Sequence, residues 1–244
     1  MGQTTPAIGA LLRDWRSRRH LSQLALATEA RISTRHLSYL ETGRARPSRD
    51  MVLHLSEYLD VPLRERNVLL TAAGFAPVFP QRGLDDPALG PVMDAVRTLL
   101  AAHEPFPALA VDRHWTILAT NRAVAPLLEG VAPSLLAPPA NALRIGLHPE
   151  GLAPRIRNLA EWHDHLLTRL ARQVETTADP VLARLRDELA GYPAPALPQA
   201  APATPQVAVP LRLALGEAEL ALISTTTVFG TPLDVTLAEL ALET

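Results

Sequence analysis

The sequence predicts two domains: an all-α bundle of five short helices, followed by an α+β domain with an antiparallel sheet. Two observations predict this fold class. Apolar residues recur at helical spacing through the first 75 residues, whereas apolar and polar residues alternate in several later segments, as in half-buried strands. A stretch rich in proline and glycine separates the two patterns. We therefore expect a helical domain over residues 1–75, a linker over residues 76–90 and the α+β domain over residues 91–244.

Each helix of the N-terminal domain has an apolar stripe or a recognisable end. The first helix carries apolar residues at the spacing i, i+3, i+4, i+7, from Ile8 to Trp15. A serine hydroxyl can cap the start of each of the next three helices, and these serines are Ser22, Ser33 and Ser48. The fifth helix follows Pro62, and Gly74 suits its end. None of these helices can bury its stripe alone, so we expect them to pack as one bundle.

The α+β domain combines helical and strand patterns. Helices are predicted over residues 91–102, 155–175 and 180–190, and Asn121 can cap a further helix that ends at Leu128. Strands are predicted over residues 108–112, 115–120, 207–215, 219–229 and 233–242. The segment from Gly191 to Pro210 contains six prolines, which exclude a helix and predict a surface loop or a poorly ordered excursion.

Charge is divided unevenly along the chain. Residues 1–49 contain nine arginines and three acidic residues, a net charge of +6, so the remaining residues sum to −8 in a chain of net charge −2. A basic block beside an acidic remainder indicates that one segment meets a polyanion. The sequence has no cysteine, which excludes disulfides, thiol catalysis and cysteine-bound zinc.

Several classes of protein are disfavoured by what the sequence lacks. It has no uncharged apolar run long enough to span a bilayer and no basic-then-apolar leader, so we expect no membrane insertion and a cytoplasmic location. It has no Gly-x-Ser-x-Gly elbow, Walker loop or Gly-x-Gly-x-x-Gly fingerprint. His163 and His165 diverge on a helix and cannot share a metal. We therefore expect no enzymatic activity, no catalytic residue, no metal site and no resident cofactor.

The segment from Leu21 to Ser48 predicts a nucleic-acid-binding geometry. Two helices joined by a short turn, with polar side chains on the outer face of the second, form a helix-turn-helix. A helix of this size fits the major groove of DNA, where its outward side chains reach base edges. Gln23 and nearby backbone amides suit phosphate contacts. Arg44 and Arg46 would add a sequence-independent attraction to phosphates.

The same segment keeps the register of a known family. The residues that match are Leu21-Ser22-Gln23, Leu26-Ala27, Ile32-Ser33, Leu37, Leu40-Glu41, Gly43 and Arg46-Pro47-Ser48. They resemble the Cro/C1-type helix-turn-helix family, also called the xenobiotic-response-element (XRE) family, over roughly residues 8–63. The resemblance implies that Gln23 faces a phosphate, and that base or phosphate contacts come from the helix that begins with Ser33 and carries Thr34, Arg35, His36, Ser38 and Tyr39.

Two residues of this helix-turn-helix stand out. Arg35 is the best candidate for bidentate recognition of guanine. The turn between the two helices usually carries glycine in the family, whereas this sequence has Arg31. A left-handed backbone at Arg31 would cost about 1–2 kcal/mol, which the rest of the bundle can offset.

A second set of motifs occupies the C-terminal half. It consists of Phe106-Pro107-Ala108, Val111-Asp112-Arg113-His114-Trp115, Ala119-Thr120-Asn121, His148-Pro149-Glu150-Gly151-Leu152, Glu161-Trp162 and the run from Phe229 to Leu240. Together these motifs resemble the MmyB-like family of transcription regulators, in which a helix-turn-helix precedes a PAS-like ligand-binding domain. The predicted order of strands and helices is compatible with a PAS-like fold. The resemblance implies a regulator that binds a double-stranded DNA operator and accepts an apolar small molecule, with a fatty acid as the type of ligand.

A ligand site of this kind needs an apolar cavity with a few placed polar groups. Aromatic candidates for its walls are Phe106, Trp115, Trp162 and Phe229, and polar candidates for orienting a head group are His114, Asn121 and His163. Each has a simpler alternative role: an aromatic residue can belong to the core, Asn121 can cap a helix, and His163 can lie on a helix surface.

Two questions concern the chain as a whole. A single helix-turn-helix buries little area on DNA, so we expect a homodimer that binds two half-sites. Alternatively, the basic bundle does not read DNA and serves as a protein-interaction module.

Overall fold

The computed structural model describes residues 7–195 and 208–244. The chain forms two compact units, one built mainly from residues up to Gln81 and the other mainly from Arg82 onward. The first contains helices, and the second contains helices and antiparallel sheets. The predicted fold class is therefore confirmed.

Five helices occupy residues 8–72: α1 (Ile8–Arg18), α2 (Gln23–Glu29), α3 (Thr34–Glu41), α4 (Arg49–Tyr58) and α5 (Leu63–Ala72). The three predicted serine caps are confirmed. Ser22, Ser33 and Ser48 accept hydrogen bonds from the backbone amides three residues later, at 3.0, 3.1 and 3.2 Å respectively. Gly43 and Gly74 follow the ends of α3 and α5 with φ of +73° and +87°, a backbone conformation that favours glycine.

The core of this bundle is made largely of leucines. The fully buried side chains include Leu12, Leu26, Leu37, Leu40, Leu55, Leu59, Leu69 and Leu70. Helix α3 packs against α1 and α2, and α5 packs against α1 and α4. At Gly9 the backbones of α1 and α3 approach so closely that a Cβ would lie 2.5 Å from the carbonyl oxygen of Leu40. These contacts fix α3 by its inner face and leave its outer face to solvent.

The strands of the second unit are β1 (Leu109–Val111), β2 (Ile117–Thr120), β3 (Leu211–Leu215), β4 (Ala218–Leu222), β5 (Thr226–Val228) and β6 (Ala241–Glu243). Four of them form an antiparallel sheet in the order β2-β1-β6-β5, in which Leu109 lies opposite both Thr120 and Glu243. Strands β3 and β4 form a separate hairpin. Its turn contains Gly216, at φ +60°.

The helices of the second unit are α6 (Gly90–Ala102), α7 (Pro133–Leu136), α8 (Ala142–Leu147), α9 (Leu159–Thr177), α10 (Pro180–Ala190) and α11 (Val235–Ala238). Short 3-10 segments lie at Pro87–Leu89, Arg122–Leu128 and Ala153–Arg155. They surround two apolar cores. One includes Val111, Trp115, Trp162, Leu166 and Leu185, and the other includes Val96, Leu100, Ala110, Leu240 and Leu242.

The two cores lie on opposite faces of the four-stranded sheet. Neighbouring residues of one strand point to opposite faces, and accordingly Val111 packs in the first core while Ala110 packs in the second. The same alternation in β6 divides Ala241 from Leu242. Candidate ligand residues can therefore lie on either side of the sheet.

The predicted strands near the C-terminus were partly wrong. Val235–Ala238 forms one turn of helix, and within the predicted range 233–242 only Ala241 and Leu242 belong to a strand, β6. The alternation of Val235 and Leu237 spans too few residues to separate a strand from a helical turn. The range 219–229 covers most of β4 and all of β5, which belong to different sheets.

Two other predictions concern proline-containing segments. The predicted helix after Asn121 is instead a 3-10 segment, Arg122–Leu128, with Pro126 inside it. Proline has no amide to donate and clashes with the preceding turn, which disfavours a regular α-helix there. Of the predicted loop over residues 191–210, residues 196–207 lie outside the described residues, as does the predicted start of a strand at Val207.

Candidate nucleic-acid interface and ligand cleft

Helix α3 presents the polar side chains that the sequence predicts. Leu37 and Leu40 are fully buried, whereas Arg35 and His36 are exposed. The partly buried candidates on the same helix are Thr34, Ser38 and Tyr39. Ser33 lies at the start of α3, where its hydroxyl accepts the amide of His36. The predicted contact residues from Ser33 to Tyr39 therefore lie along one accessible helix.

Tyr39 organises two arginines at this surface. The Arg35 guanidinium carbon lies 5.3 Å from the centre of the Tyr39 ring, and that of Arg44 lies 5.9 Å from it. Arg35 Nε also donates a hydrogen bond to the Tyr39 hydroxyl at 2.9 Å. No acidic side chain among the described residues pairs with Arg35, Arg44 or Arg46, and all three are exposed. Their charges are available to a polyanion.

Behind α3, Glu41 joins three elements of the bundle. Its side chain is fully buried and accepts two hydrogen bonds from Arg16, Nε to Oε1 at 2.6 Å and Nη2 to Oε2 at 2.8 Å. Gln23 Nε2 donates to Oε2 at 2.7 Å. Burial alone would raise the pKa of Glu41, but the hydrogen bonds from Arg16 and Gln23 and the charges of Arg16 and Arg13 lower it. A buried carboxylate thus ties α1 and α2 to α3.

The hydrogen bonds around Glu41 were not predicted from the sequence. They give Gln23, which is predicted to face a phosphate, a partner inside the bundle. In the structure the side-chain amide of Gln23 contacts Glu41. Gln23 is the first residue of α2, as the sequence predicts. The hydrogen bond of its side chain to Glu41 is a new observation.

The turn between α2 and α3 contains the expected strained residue. Arg31 has φ of +53°, in the left-handed region, although it is not glycine. Its side chain is exposed, so the turn adds another arginine to the surface of the helix-turn-helix.

The aromatic ligand candidates lie in different parts of the second unit. Trp115 and Trp162 are buried in the first core of the second unit, whereas Phe229 packs against the second core on the other face of the sheet. Phe106 is 66% exposed. The structure therefore does not gather the four aromatic residues in one core, and their contact with a ligand stays a prediction.

Asn121 and His163, two of the polar ligand candidates, have hydrogen-bond partners within the fold. Asn121 is buried; its Oδ1 accepts the amide of Ala108 at 3.1 Å, and its Nδ2 donates to the carbonyl oxygens of Phe106 at 2.8 Å and Leu100 at 3.1 Å. The side chain therefore joins α6 to the segment just before β1. It does not cap the segment after Asn121, and the predicted cap is therefore wrong. His163 Nε2 lies 3.1 Å from the carbonyl oxygen of Leu189.

His114 lines a cleft in the described part of the second unit. A cleft of about 360 Å³ is lined by His114, Thr116, Pro139, Asn141, Arg144, Val181, Arg184, Leu185 and Glu188. The four cleft residues of α10 were not predicted from the sequence, although their spacing along the chain indicates a shared helix face. Val181, Arg184, Leu185 and Glu188 follow the spacing i, i+3, i+4, i+7, which places them on one helix face.

An ion pair and a contact between a histidine and an aspartate support this cleft. Arg144 binds Glu188 through two hydrogen bonds of 2.7 Å, and this partner lowers the pKa of Glu188. Burial, together with the hydrogen bond that its hydroxyl donates to Glu188, raises the pKa of Tyr192 to about 12. His114 Nε2 lies 2.9 Å from Asp179 Oδ2.

Neither a metal site nor a membrane span was found in the part of the chain that is described. No group of three histidine or acidic side chains there could hold a metal ion. No helix within residues 7–195 and 208–244 combines the length and apolarity that crossing a bilayer requires.

Two family models match the chain, and both resemblances noted in the sequence are confirmed. A model of helix-turn-helix domains matches residues 7–69. A model described as the MmyB-like transcription regulator ligand binding domain matches residues 92–244. No curated protein matches the chain. The second model alone spans more than half of the 244 residues.

Proposed function

The chain belongs to the MmyB-like transcription regulators, and on this premise we propose that it reads a specific operator with α3 while its second unit binds an apolar small molecule of the fatty-acid type. At the coarser level the chain is a DNA-binding transcription regulator. The observation that carries the proposal is the outer face of α3, where Arg35 and Tyr39 are preorganised beside Arg44.

The residues of this face divide into two chemical roles. Arg35 lies in the first turn of α3, the part of a recognition helix that reaches base edges. Its terminal nitrogens can donate to the O6 and N7 acceptors of guanine in the major groove. Arg46 lies beyond the end of α3, exposed and without an acidic partner among the described residues, and suits a phosphate. DNA affinity would then come from both roles and sequence preference mainly from the first.

A selection from a random DNA library, followed by binding measurements at several salt concentrations, tests DNA recognition. Arg35→Ala should weaken binding to the selected site by about 1–3 kcal/mol and relax the preference at one base pair. Arg46→Gln should weaken binding to all DNA sequences alike. It should also reduce the slope of log affinity against log salt concentration by about 1. Arg97→Gln is the matched control, because Arg97 is an exposed arginine of α6 that pairs with Asp94.

A negative result in this experiment would favour the alternative function, a protein-interaction module. If the selection yields no preferred sequence and Arg35→Ala binds DNA as the unmodified protein does, the basic bundle is a protein-interaction module. If the salt dependence is the same in Arg46→Gln and Arg97→Gln, Arg46 does not contact a phosphate.

The ligand part of the proposal is supported by the family and by the apolar interior of the second unit. We propose that this ligand is an apolar small molecule that regulates operator binding, and that no other cofactor is needed. Native mass spectrometry of the purified protein, with lipid extraction, would identify a copurified passenger. Loss of operator response after such a passenger is removed, and its return on readdition, would support sensing.

We also propose that the regulator binds DNA as a homodimer. A single recognition helix buries a small area, and pairing of two half-sites is the common way in which helix-turn-helix proteins gain affinity and specificity.

A further inference from the structure

The cleft beside α10 has a composition suited to an amphipathic ligand. Its apolar lining consists of Pro139, Val181 and Leu185, and its polar lining includes Thr116 and Arg184. Volumes of 300–1,000 Å³ are typical of small-molecule sites, and this cleft measures about 360 Å³. It therefore has room for a short chain next to a polar head group.

The cleft carries one uncompensated positive charge among its described residues. Arg144 and Glu188 neutralise each other through two hydrogen bonds of 2.7 Å. Arg184 lies one helical turn before Glu188 on α10, is exposed, and has no acidic partner in the described part of the chain. A guanidinium in this position can form charge-assisted hydrogen bonds with a carboxylate or phosphate.

One edge of the cleft is held in place by its own hydrogen bonds. Asp112 Oδ1 accepts the amides of His114 and Thr116, both at 2.8 Å, and Asn141 Nδ2 donates to the carbonyl oxygen of His114 at 2.8 Å. Between them Trp115 adopts φ of +67°, a left-handed conformation that is unfavourable for a bulky residue. Local strain that the surrounding structure maintains is a feature of binding sites.

The same edge is joined to α10. His114 lies 2.9 Å from Asp179, and Asp179 caps α10 by accepting the amide of Val181 at 2.7 Å. The strained turn at Trp115, the cap at Asp179 and the cleft-facing side of α10 therefore form one wall that is already ordered. Such preorganisation reduces the entropy that ligand binding would otherwise cost.

We propose that this cleft binds a molecule with an apolar chain and an anionic head group, with Arg184 as the head-group partner and Val181 and Leu185 along the chain. The inference rests on the proposed ligand-binding function of the second unit and adds the location of the site and the side chain that holds the head group.

Four probes of similar chain length test the two parts of the site: octanoate, decanoate, decyl phosphate and decan-1-ol. Calorimetry with the full chain measures their affinities. Decanoate should bind more tightly than octanoate by roughly threefold to fourfold per buried methylene. Comparison of decanoate with decyl phosphate distinguishes a carboxylate from a phosphate as the preferred anion, and decan-1-ol reports the contribution of the chain alone.

Two matched variants locate the anion. Arg184→Gln should weaken decanoate or decyl phosphate by about tenfold, because a charge-assisted hydrogen bond is lost, and leave decan-1-ol unchanged. Arg186→Gln removes the same charge two residues away on α10, where Arg186 pairs with Asp187 and does not line the cleft. It should bind all four probes as the unmodified chain does. Val181→Asn should weaken the binding of decanoate and of decan-1-ol alike, because Val181 is placed along the chain that both probes share.

The proposal is overturned if the unmodified chain binds neither anion, if Arg184→Gln retains full affinity, or if Arg186→Gln loses as much. Operator binding is measured in parallel, so that the two proposals fail separately. A chain that binds its operator but neither anion overturns the cleft assignment alone. A chain that binds decanoate through Arg184 but no operator supports the cleft and contradicts the proposed DNA recognition.

Discussion

Tyr39 controls which atoms Arg35 can offer to DNA. The hydroxyl of Tyr39 accepts Arg35 Nε at 2.9 Å, and the guanidinium lies over the tyrosine ring. This leaves the two terminal nitrogens of Arg35, the pair that matches O6 and N7 of guanine. Arg44 lies near the same ring, so the aromatic group also brings two cations together without an intervening acid. Tyr39 is therefore a positioning residue in the proposed interface.

Tyr39→Phe tests this role because it removes only the hydroxyl. We expect operator binding to weaken by about 0.5–1.5 kcal/mol, the usual net worth of one hydrogen bond, while binding to unrelated DNA stays unchanged. Fluorescence anisotropy with both DNAs gives the comparison. The double variant Arg35→Ala/Tyr39→Phe should be no weaker than Arg35→Ala. Additive losses would show that Tyr39 contacts DNA independently of Arg35.

Glu41 has the opposite role, since it contributes to the fold from inside the bundle. Removing one partner of a buried ion pair leaves an uncompensated charge and costs about 3–5 kcal/mol. We expect Glu41→Gln to destabilise α1–α3 by an amount of this order, because Arg16 would lose its partner. Hydrogen exchange of amides in α1 and α3 measures the local free energy of opening. Glu29→Gln, at an exposed position of α2, should change it by less than about 0.5 kcal/mol.

The pKa of Glu41 gives this prediction a pH signature. The folded pKa is lowered from the ordinary value of 4.5, so the unfolded state binds the proton more readily. The stabilisation is complete above about pH 5 and is lost as the pH falls through the lowered pKa of the folded state. The stability difference between the unmodified chain and Glu41→Gln should therefore shrink below pH 4.5. A difference that stays constant down to pH 3 would contradict the assignment.

At the scale of helices, the contact between α1 and α3 at Gly9 sets how α3 is presented. A Cβ at Gly9 would meet the carbonyl oxygens of Leu40 and Glu41 at 2.5 and 2.7 Å, and both belong to the backbone of α3. Gly9→Ala should therefore push the helices apart and cost about 1–3 kcal/mol, with a loss of operator affinity. Thermal unfolding and anisotropy measure the two effects.

Gly146→Ala is the control for this glycine substitution. Gly146 lies within α8, and nothing lies within 4 Å of a Cβ built there. Alanine should stabilise that helix by about 0.5–1 kcal/mol, because glycine has more conformational entropy to lose. A Gly9→Ala variant as stable as the unmodified chain would mean that α1 and α3 do not touch at this point.

The N-terminal helices could be predicted from sequence because their signals are local. A serine cap such as Ser33 satisfies amides three residues away, and a buried stripe such as Leu37 and Leu40 repeats within one helix. The strands could not be placed equally well, since their partners are distant in sequence: β1 pairs with β6, which is more than a hundred residues later. The local pattern of Val235–Ala238 therefore predicts a strand, although these residues form one turn of helix.

The candidate sites follow the same division. Arg35 and Tyr39 lie on a helix whose register the sequence reveals, so the proposed DNA contacts could be named in advance. The cleft combines His114, Arg144 and Arg184 from three separated segments, and only the α10 portion has a periodic signal. Likewise, Phe229 is a typical wall residue by chemistry, but only the sheet topology shows that it packs in a different core from Trp115.

At the scale of the whole molecule, the proposed homodimer makes a prediction about the operator. Two identical recognition helices related by a twofold axis read an inverted repeat with half-site centres about 10 base pairs apart, or a multiple of that spacing. Library selection should therefore return a palindromic sequence, and mass photometry should show two chains per operator. Insertion of five base pairs between the half-sites should weaken binding sharply. A single asymmetric site occupied by one chain would contradict the dimer.

Sensing requires that operator binding and ligand binding be linked, and linkage is reciprocal. If decanoate changes the operator Kd by some factor, operator DNA must change the decanoate Kd by the same factor. We expect a factor of about 5 or more, the lower end of typical couplings, because a ligand shifts an equilibrium only through different affinities for its two states. Anisotropy with and without saturating decanoate gives one factor, and calorimetry with and without operator gives the other. Arg184→Gln should keep operator affinity and lose the response at the same decanoate concentration. An operator affinity that decanoate leaves unchanged would mean that the cleft binds this probe without transmitting a signal.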